Sequence, residues 1–315
     1  LAEKIGIEHH ILDVRDDFKR TVIKSFTDEY LKGNTPNPCV LCNKQFKWHY
    51  LLQEADRLNC QWVATGHYAR ISRKNNRFIL NRGADSKKDQ SYFLSFLSDE
   101  QLNFSLFPLE NITKEEVRKI ANELHLNVAN KKDSTGICFI GERNFKEFLK
   151  NYIPAKPGEI IDIVTQKKVG EHQGVYYYTF GQRKGLNIGG IKGSDGKSWF
   201  VVKKDVKKNR LYVAMGDDND YLLCDEVIVK QSNFFVSMEN NQWLFCHAKF
   251  RYRQQDNPVK IKKVDEDTII VSSDIPLKAI TPGQIAVFYD AETEQVIASG
   301  IIDSCYKNHA KLDLL

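Results

Sequence analysis

Two cysteines stand in settings that fit sulfur chemistry. Cys42 ends the run Thr-Pro-Asn-Pro-Cys-Val-Leu-Cys, and Cys138 lies in Asp-Ser-Thr-Gly-Ile-Cys-Phe-Ile-Gly. The first falls just after a Pro-punctuated turn where a helix is predicted to start. There, free backbone N–H groups and the helix dipole favour thiolate over thiol. The second follows a Ser-Thr-Gly turn and opens a short apolar run, which predicts a shaped loop. Far apart in the chain, the two thiols form one site only if the fold brings them together. Cys39 and Cys42 also make a C-x-x-C, but no second C-x-x-C or H-x-H follows at zinc spacing. A closed four-ligand metal site is therefore poorly supported, and no metal ligand is assigned.

The elements that must position these thiols read as α/β. Apolar residues at near-helical spacing (Phe18, Val22, Ile23, Phe26, Tyr30, Leu31) predict a helix over 17–31, stopped by Gly33 and Asn34. A second helix is predicted over 39–58, then a short buried strand over 60–65 that ends at Gly66-His67-Tyr68. In a parallel sheet, ligands bind beyond the carboxyl ends of strands, so Gly66 and His67 stand either at a nucleotide or substrate site or in an ordinary turn. A hairpin is expected over 70–82 around Asn75-Asn76, and a helix from about 87–93. Thr113 with Glu116 makes a capping box for a helix running to about 124. The chain begins with Leu1 rather than Met, and residues 1–14 read as the end of a helix, Gly6, then a strand. An α/β unit joined at its first helix lacks the strand and phosphate-binding loop that normally come before it, so we read the chain as N-terminally truncated.

Beyond Tyr152 the texture changes. Pro154, Pro157 and Gly158 punctuate, and short β-branched runs predict strands over 159–164, 175–180, 199–202 and 211–213. Between Gly170 and Gly190, glycines bracket aromatics and the pair Arg183-Lys184. This is either a loop where backbone closely approaches a phosphate-bearing ligand or a Gly-rich meander with ordinary surface charge. From 221 onward, strands are expected over 226–229, 243–252, 259–264, 268–271, 284–289 and 295–302, at the regular spacing of a small β-barrel. In Lys249-Phe-Arg-Tyr-Arg253, cations alternate with aromatics, which suits RNA stacking or one charged face of an amphipathic strand.

Composition sets the limits. The chain has 315 residues, 42% hydrophobic and 28% charged, and has no apolar stretch near bilayer length, so two or three domains and no membrane span are expected. Seven scattered cysteines without a signal peptide point to a reducing cytoplasm and mostly free thiols. The net charge of +5 does not by itself mark a nucleic-acid binder. Over 192–210 the cations Lys192, Lys197, Lys203, Lys204, Lys207, Lys208 and Arg210 face only Asp195 and Asp205, as on a solvated face or a phosphate track.

Taken together and in order, Thr-Pro-Asn-Pro-x-x-x-Cys-Asn, Ala-Thr-Gly-His-Tyr, Lys-Asp-Gln-Ser-Tyr, Asp-Ser-x-Gly-Ile-Cys-Phe-Ile-Gly, Gly-Glu-His-x-Gly with Gly-Gln-Arg-Lys-Gly-Leu, and Arg-Tyr-Arg ahead of Thr-Pro-Gly-Gln resemble the tRNA-specific 2-thiouridylases over nearly the whole chain. The resemblance implies a PP-loop ATP pyrophosphatase-like, Rossmann-like domain lacking its first strand and loop, a small central domain and a C-terminal β-barrel. The implied catalytic domain covers 1–104, with 131–148 packing back on it. The central tRNA-binding domain covers 105–130 and 149–217, and the barrel 218–315. The implied activity is ATP-dependent 2-thiolation of the wobble uridine of tRNA. ATP, with Mg2+, activates the uracil oxygen; no cofactor is permanently bound. Cys138 is implied to carry the persulfide and Cys42 to act as nucleophile, closing a disulfide between them on release. Asn37, Pro38 and Cys39 match positions that contact the target base, and Gly66 an ATP-contacting glycine. His67, Lys88, Asp89, Gln90, Arg183, Lys184, Arg251, Tyr252 and Gln284 are the tRNA candidates. The implied partners are tRNA, a persulfide donor protein and a cellular reductant.

Two departures matter. Some members of the family carry Asp where this chain has Cys39, which leaves the acid–base role there unassigned. The Ser-Gly-Gly-x-Asp-Ser loop that holds the ATP phosphates is absent, so this chain alone is expected to bind ATP poorly and to be inactive, and the intact gene product is expected to contain the loop. The alternatives are a catalytically silent RNA-binding fragment and a redox or zinc protein built on Cys39 and Cys42.

Overall fold

The computed structural model describes residues 1–74, 76–131, 136–141, 145–189 and 196–315. Asn75 of the expected hairpin tip, residues 133–135 and Glu142 around the second cysteine motif, Gly190, and Lys192 and Asp195 of the basic run lie outside these. The chain divides into two compact units. The first comprises Leu1–Lys24, Pro38–Glu142 and Glu294–Val296, the second Ser25–Asn37, Arg143–Thr293 and Ile297–Leu315.

In the first unit, Gly6 ends the helix Ala2–Ile5 with φ 69°, a left-handed cap that suits glycine. The strand expected after it does not form: residues 7–14 carry no regular structure. The predicted helix over 17–31 is present as Arg15–Phe18, a π-helical turn Lys19–Ile23, and Lys24–Leu31. The expected buried strand shortens to β1 (Val63–Ala64), and Trp62 before it is exposed. The hairpin forms as β2 (Ala69–Lys74) against β3 (Arg77–Arg82), and β4 (Ser105–Leu106) runs parallel to β1. The helix predicted from about 87–93 starts later, as Ser91–Leu94. Thr113 caps Lys114–Glu123 with both halves of the capping box made, from Glu116 N to Thr113 Oγ and from Thr113 N to the Glu116 carboxylate.

In the second unit, β5 (Gly158–Asp162), β6 (Lys168–His172), β7 (Trp199–Asp205) and β8 (Arg210–Met215) make a four-stranded sheet in the order β6-β5-β8-β7. The sequence reading missed β6. Where a strand is expected over 175–180, Val175–Tyr177 is a 3-10 turn that follows Gly174. Its Val175 and Tyr177 side chains are buried, so the apolar run reflects burial rather than a pleat. All six strands expected beyond 221 form: β9 (Leu223–Phe234), β10 (Trp243–Lys249), β11 (Asn257–Lys263), β12 (Ile269–Lys278), β13 (Ile285–Tyr289) and β14 (Val296–Lys307). They pair in the order β13-β10-β11-β12-β9-β14, and β13 pairs β14 to close the barrel; a short β15 (Ala310–Lys311) folds back on β14. Alternate residues such as Val227, Val229, Ile261, Ile269, Val271, Ala286 and Phe288 fill its interior. No described helix is long and apolar enough to cross a membrane.

Candidate functional site

Pro38 opens the helix Pro38–Leu41, at the helix start where its missing N–H costs nothing, and Cys39 follows. The chain then widens into the π-helical turn Cys42–Lys47 and tightens again as Trp48–Arg57. The helix predicted over 39–58 is therefore present with a wide turn in its middle. Three bonds pin that turn. The Asn43 amide donates to the Phe93 carbonyl at 2.9 Å, the Gln101 amide to the Lys44 carbonyl at 2.9 Å, and the Trp48 indole N–H to Ser105 Oγ at 2.7 Å.

Aromatic packing brings the second cysteine to the first. Phe139, next to Cys138, meets Phe18 edge to face at 5.4 Å between centroids; Phe18 meets Phe46 at 5.1 Å, and Phe46 meets Tyr50 at 5.0 Å. Cys42 is buried in this cluster with Val22 and Phe46, while Cys138 is exposed and Cys39 half-buried. None of the three is in a disulfide. Negative charge on Cys138 raises the pKa of both Cys39 and Cys42, so the three thiols share one electrostatic site.

The expectation that the helix start favours the Cys42 thiolate is overturned. Burial pushes the Cys42 thiol up to about 11, opposed by Lys47, and pushes Cys39 up to about 12, with Cys138 and Cys42 adding to it. A four-residue helix supplies little dipole against that loss of hydration. Lys47 is a site residue that the sequence does not signal. It stands five positions after Cys42, a spacing that carries no meaning until the turn is known to be π-helical.

Beside β1, burial and then Lys47 push His67 down to about 4, so the imidazole is neutral at physiological pH. Its Nδ1 pairs with Thr65 Oγ1 at 2.8 Å, and its ring lies 5.7 Å from Trp48. Gly66 is exposed, and a Cβ there would meet only Leu109 at 3.9 Å, so packing does not require glycine. The loop of Lys88, Asp89 and Gln90 is fastened to the same strand end. Tyr68 N–H donates to Gln90 Oε1 at 3.0 Å, and Gln90 N–H to the Tyr68 carbonyl at 2.8 Å. Asp89 is buried and accepts from Gly83 N–H, Ser91 N–H and Ser91 Oγ; burial raises its pKa against those bonds. Lys88 is half-buried. Among the described residues no group of three His, Cys, Asp or Glu side chains is arranged to hold a metal.

The remaining candidates lie in the second unit. Arg183 and Lys184 are exposed on a turn bracketed by Gly181 (φ 77°) and Gly185 (φ 76°). A Cβ on Gly181 would come within 2.6 Å of the Ala279 Cβ, so glycine is needed there. Lys146, not foreseen from the sequence, places its ammonium 4.4 Å from the Tyr178 ring centroid and 3.4 Å from the Gly185 carbonyl, adding a third cation to this turn. The expected basic strand ends early: β10 stops at Lys249, and Arg251 and Tyr252 sit in a turn, both half-buried. The Arg251 guanidinium donates to the carbonyls of Phe180 (3.1 Å) and Ala279 (3.2 Å) and to Thr281 Oγ1 (2.7 Å). That draws the chain out of the ladder. Gln284 donates its amide to the Thr35 carbonyl at 2.5 Å, holding the segment that leads to Asn37.

Comparison with known proteins agrees with this layout. Residues 1–142 match the family described as the tRNA methyl transferase HUP domain, 146–215 the tRNA methyl transferase PRC-barrel domain, and 224–302 the aminomethyltransferase beta-barrel domain. The fold is thus a Rossmann-like α/β domain, a central domain and a closed six-stranded barrel. Over 315 residues the chain is 45% identical to the tRNA-specific 2-thiouridylase MnmA of Bacillus cereus and, equally, to that of Bacillus cytotoxicus. Each alignment covers 100% of this chain and 83% of the relative.

Proposed function

The chain belongs to the tRNA-specific 2-thiouridylase family, and from that membership we propose that it replaces the 2-oxygen of a tRNA wobble uridine with sulfur, at the expense of ATP and through a persulfide on Cys138. The observation that carries this reading is the packing of Phe139, the neighbour of Cys138, into the same aromatic cluster that buries Cys42, although the two cysteines are distant in sequence. Two of the family descriptions name methyl transfer, but the relatives at 45% identity are named for 2-thiolation, and sulfur transfer through a persulfide gives each of the two thiols a role.

Atoms and electrons balance at each step. The uracil carbonyl oxygen takes AMP from ATP and releases pyrophosphate, which turns a poor leaving group into a good one. The terminal sulfur of the Cys138 persulfide attacks the activated carbon and AMP departs, leaving carbon and Cys138 joined through two sulfurs. The Cys42 thiolate then attacks the Cys138 sulfur, the 2-thiouridine leaves with its new sulfur, and a Cys42–Cys138 disulfide remains. A two-electron reductant restores both thiols, and a persulfide donor protein reloads Cys138. Exposure of Cys138 suits it to a macromolecular donor, and burial of Cys42 keeps the second thiol from bulk oxidants.

In this reading Asn37, Pro38 and Cys39 meet the flipped base. Open space over Gly66, beside neutral His67, suits a nucleotide. Mg2+ accompanies the ATP phosphates, and no resident cofactor takes part. Lys88 and Gln90, Arg183 and Lys184, and Tyr252 touch tRNA, while Asp89, Arg251 and Gln284 hold the loops that do so, given the hydrogen bonds they already make. Residues 1–104 with 131–148 act as the catalytic domain, 105–130 and 149–217 as the central tRNA-binding domain, and 218–315 as the barrel. The reaction belongs to the cytoplasm, where tRNA and thiol reductants meet.

The test needs no ATP. Protein loaded with sulfane sulfur from polysulfide should carry an added sulfur on Cys138 and then, by Cys42 attack, release hydrosulfide and form the Cys42–Cys138 disulfide. Peptide mass spectrometry reads both products. Loading at Cys138 with no disulfide to Cys42, or loading elsewhere, refutes the assignment.

A further inference from the structure

We infer that Lys47 is a positioning residue for the sulfur chemistry: the π-helical turn Cys42–Lys47 carries its ammonium onto the face that bears Cys42, where it stabilises negative charge on that sulfur and on Cys39. The inference rests on the sulfur-transfer reading above.

The backbone supplies the first argument. In an α-helix of about 3.6 residues per turn, a residue five positions on points roughly 140° away. A π-helical turn closes its bonds across five residues, as where Trp48 N–H donates to the Asn43 carbonyl, and so brings residue i+5 back over residue i. Lys47 thereby returns to the side of Cys42. An unbroken α-helix would turn it away.

Electrostatics supplies the second. The Lys47 charge acts on three groups from two elements: Cys39 and Cys42 on the helix, and His67 at the end of β1. It lowers both thiols and lowers the imidazole, as a single cation within reach of all three must. His67 cannot take its place, since a ring pushed down to about 4 is uncharged at physiological pH. Of the other described charges near this cluster, Asp17, on the helical segment packed against Cys42, is held by Tyr50 and Arg20, and Lys44 lies over the Phe96 ring. Lys47 has no hydrogen-bonded or carboxylate partner among the described residues, and it is exposed, so its charge is free to follow a sulfur that becomes anionic.

The chemistry requires such a charge. Burial shields Cys42 and also disfavours the thiolate that must attack the Cys138 sulfur. A nearby ammonium offsets part of that cost without exposing the thiol.

The experiment compares wild-type protein, Lys47→Gln and Lys47→Arg by the rate at which iodoacetamide alkylates Cys42 near neutral pH, followed peptide by peptide. Exposed Cys60, which is not part of the cluster around Phe46, serves as the control within the same chain. Loss of the charge should slow Cys42 alkylation about 3–10-fold, the change that roughly half to one pH unit of thiol acidity gives, and Lys47→Arg should restore most of it. A purely structural role predicts the opposite sign, because a loosened helix exposes Cys42 and speeds alkylation. Should Lys47→Gln not fold, raising salt on the wild type from low to high ionic strength should slow Cys42 relative to Cys60. An unchanged or faster Cys42 rate in Lys47→Gln, or equal slowing in both variants, overturns the inference. Retained sulfur transfer after Cys42→Ser would instead overturn the functional reading and leave the alkylation result standing.

Discussion

Buried thiols occur in both units, and their surroundings differ in one respect that decides what they can do. In the barrel, Cys224, Cys246 and Cys305 are packed in strand interiors. The Cys305 thiol donates to the Ile280 carbonyl at 3.8 Å, the neighbouring Cys224 thiol and burial drive its pKa upward, and burial pushes Cys246 up to about 12. Among the described residues no cation opposes the rise at Cys246 or Cys305. In the first unit Cys39 and Cys42 are raised comparably by burial, yet Lys47 opposes the rise and exposed Cys138 stands within electrostatic reach. The lysines mirror the contrast. Lys47 is exposed and opposes the rise at two thiols, whereas Lys204 of β7 is fully buried with no hydrogen-bond partner for its ammonium among the described residues and is pushed down to about 7. Burial alone therefore does not set the first-unit thiols apart; the role proposed for them rests on a cation at hand and an accessible second sulfur.

The contrast breaks if the wrong thiols matter. Cys42→Ser and Cys138→Ser should each lower 2-thiouridine in cellular tRNA by on the order of 10³-fold or more, with tRNA affinity within about twofold, as read by nucleoside mass spectrometry and filter binding. Equal loss of affinity would mean the cysteines serve binding and not chemistry. Labelling sharpens the distinction: native protein given iodoacetamide should modify Cys138 and Cys60 at least about 10²-fold faster than Cys224, Cys246 and Cys305, which should react only on unfolding. Early modification in the barrel would remove the claim that those sulfurs are inert.

Lys204 tests the cost of an unserved charge. Its folded value of about 7 lies below the ordinary 10.5, so between these the unfolded chain keeps a proton that the folded chain has lost. Stability should rise with pH across that window by about 1.4 kcal/mol per pH unit, and the full cost should persist below it. Lys204→Met should be more stable in urea near neutrality, with an advantage that shrinks toward pH 10 or so. A variant no more stable than wild type would show that Lys204 finds a partner in solution. The smallest effect is expected at Cys305→Ala, a loss of about 1 kcal/mol with unchanged thiolation, measured by denaturant midpoint and nucleoside analysis.

Local alternation made the barrel legible: residues such as Val227 and Val229, or Ile269 and Val271, declare an inner face without help from the rest of the chain. The capping box at Thr113 was legible for the same reason, since both of its bonds are made within four residues. What failed depended on distant contacts. Arg251 and Tyr252 continue the β10 pattern in sequence, but the carbonyls of Phe180 and Ala279 draw the guanidinium away and end the strand. The thiolate expected at Cys42 was lost because Phe46 and Val22 bury it and Phe139 closes the same cluster. Lys47 was illegible because two wide turns, Lys19–Ile23 and Cys42–Lys47, are set by packing and leave no mark in the residue types.

The hydrogen bond from Gln284 to Thr35 joins residues 249 positions apart. A ribosome working from the N-terminus releases the Thr-Pro-Asn-Pro segment long before its anchor has been translated, and residues 25–37 wait for a body built mostly from residues beyond Arg143. The segment that precedes the first cysteine thus gains this anchor only when the residues leading into β13 have emerged, so its last fastening forms after nearly all of the chain has left the exit tunnel.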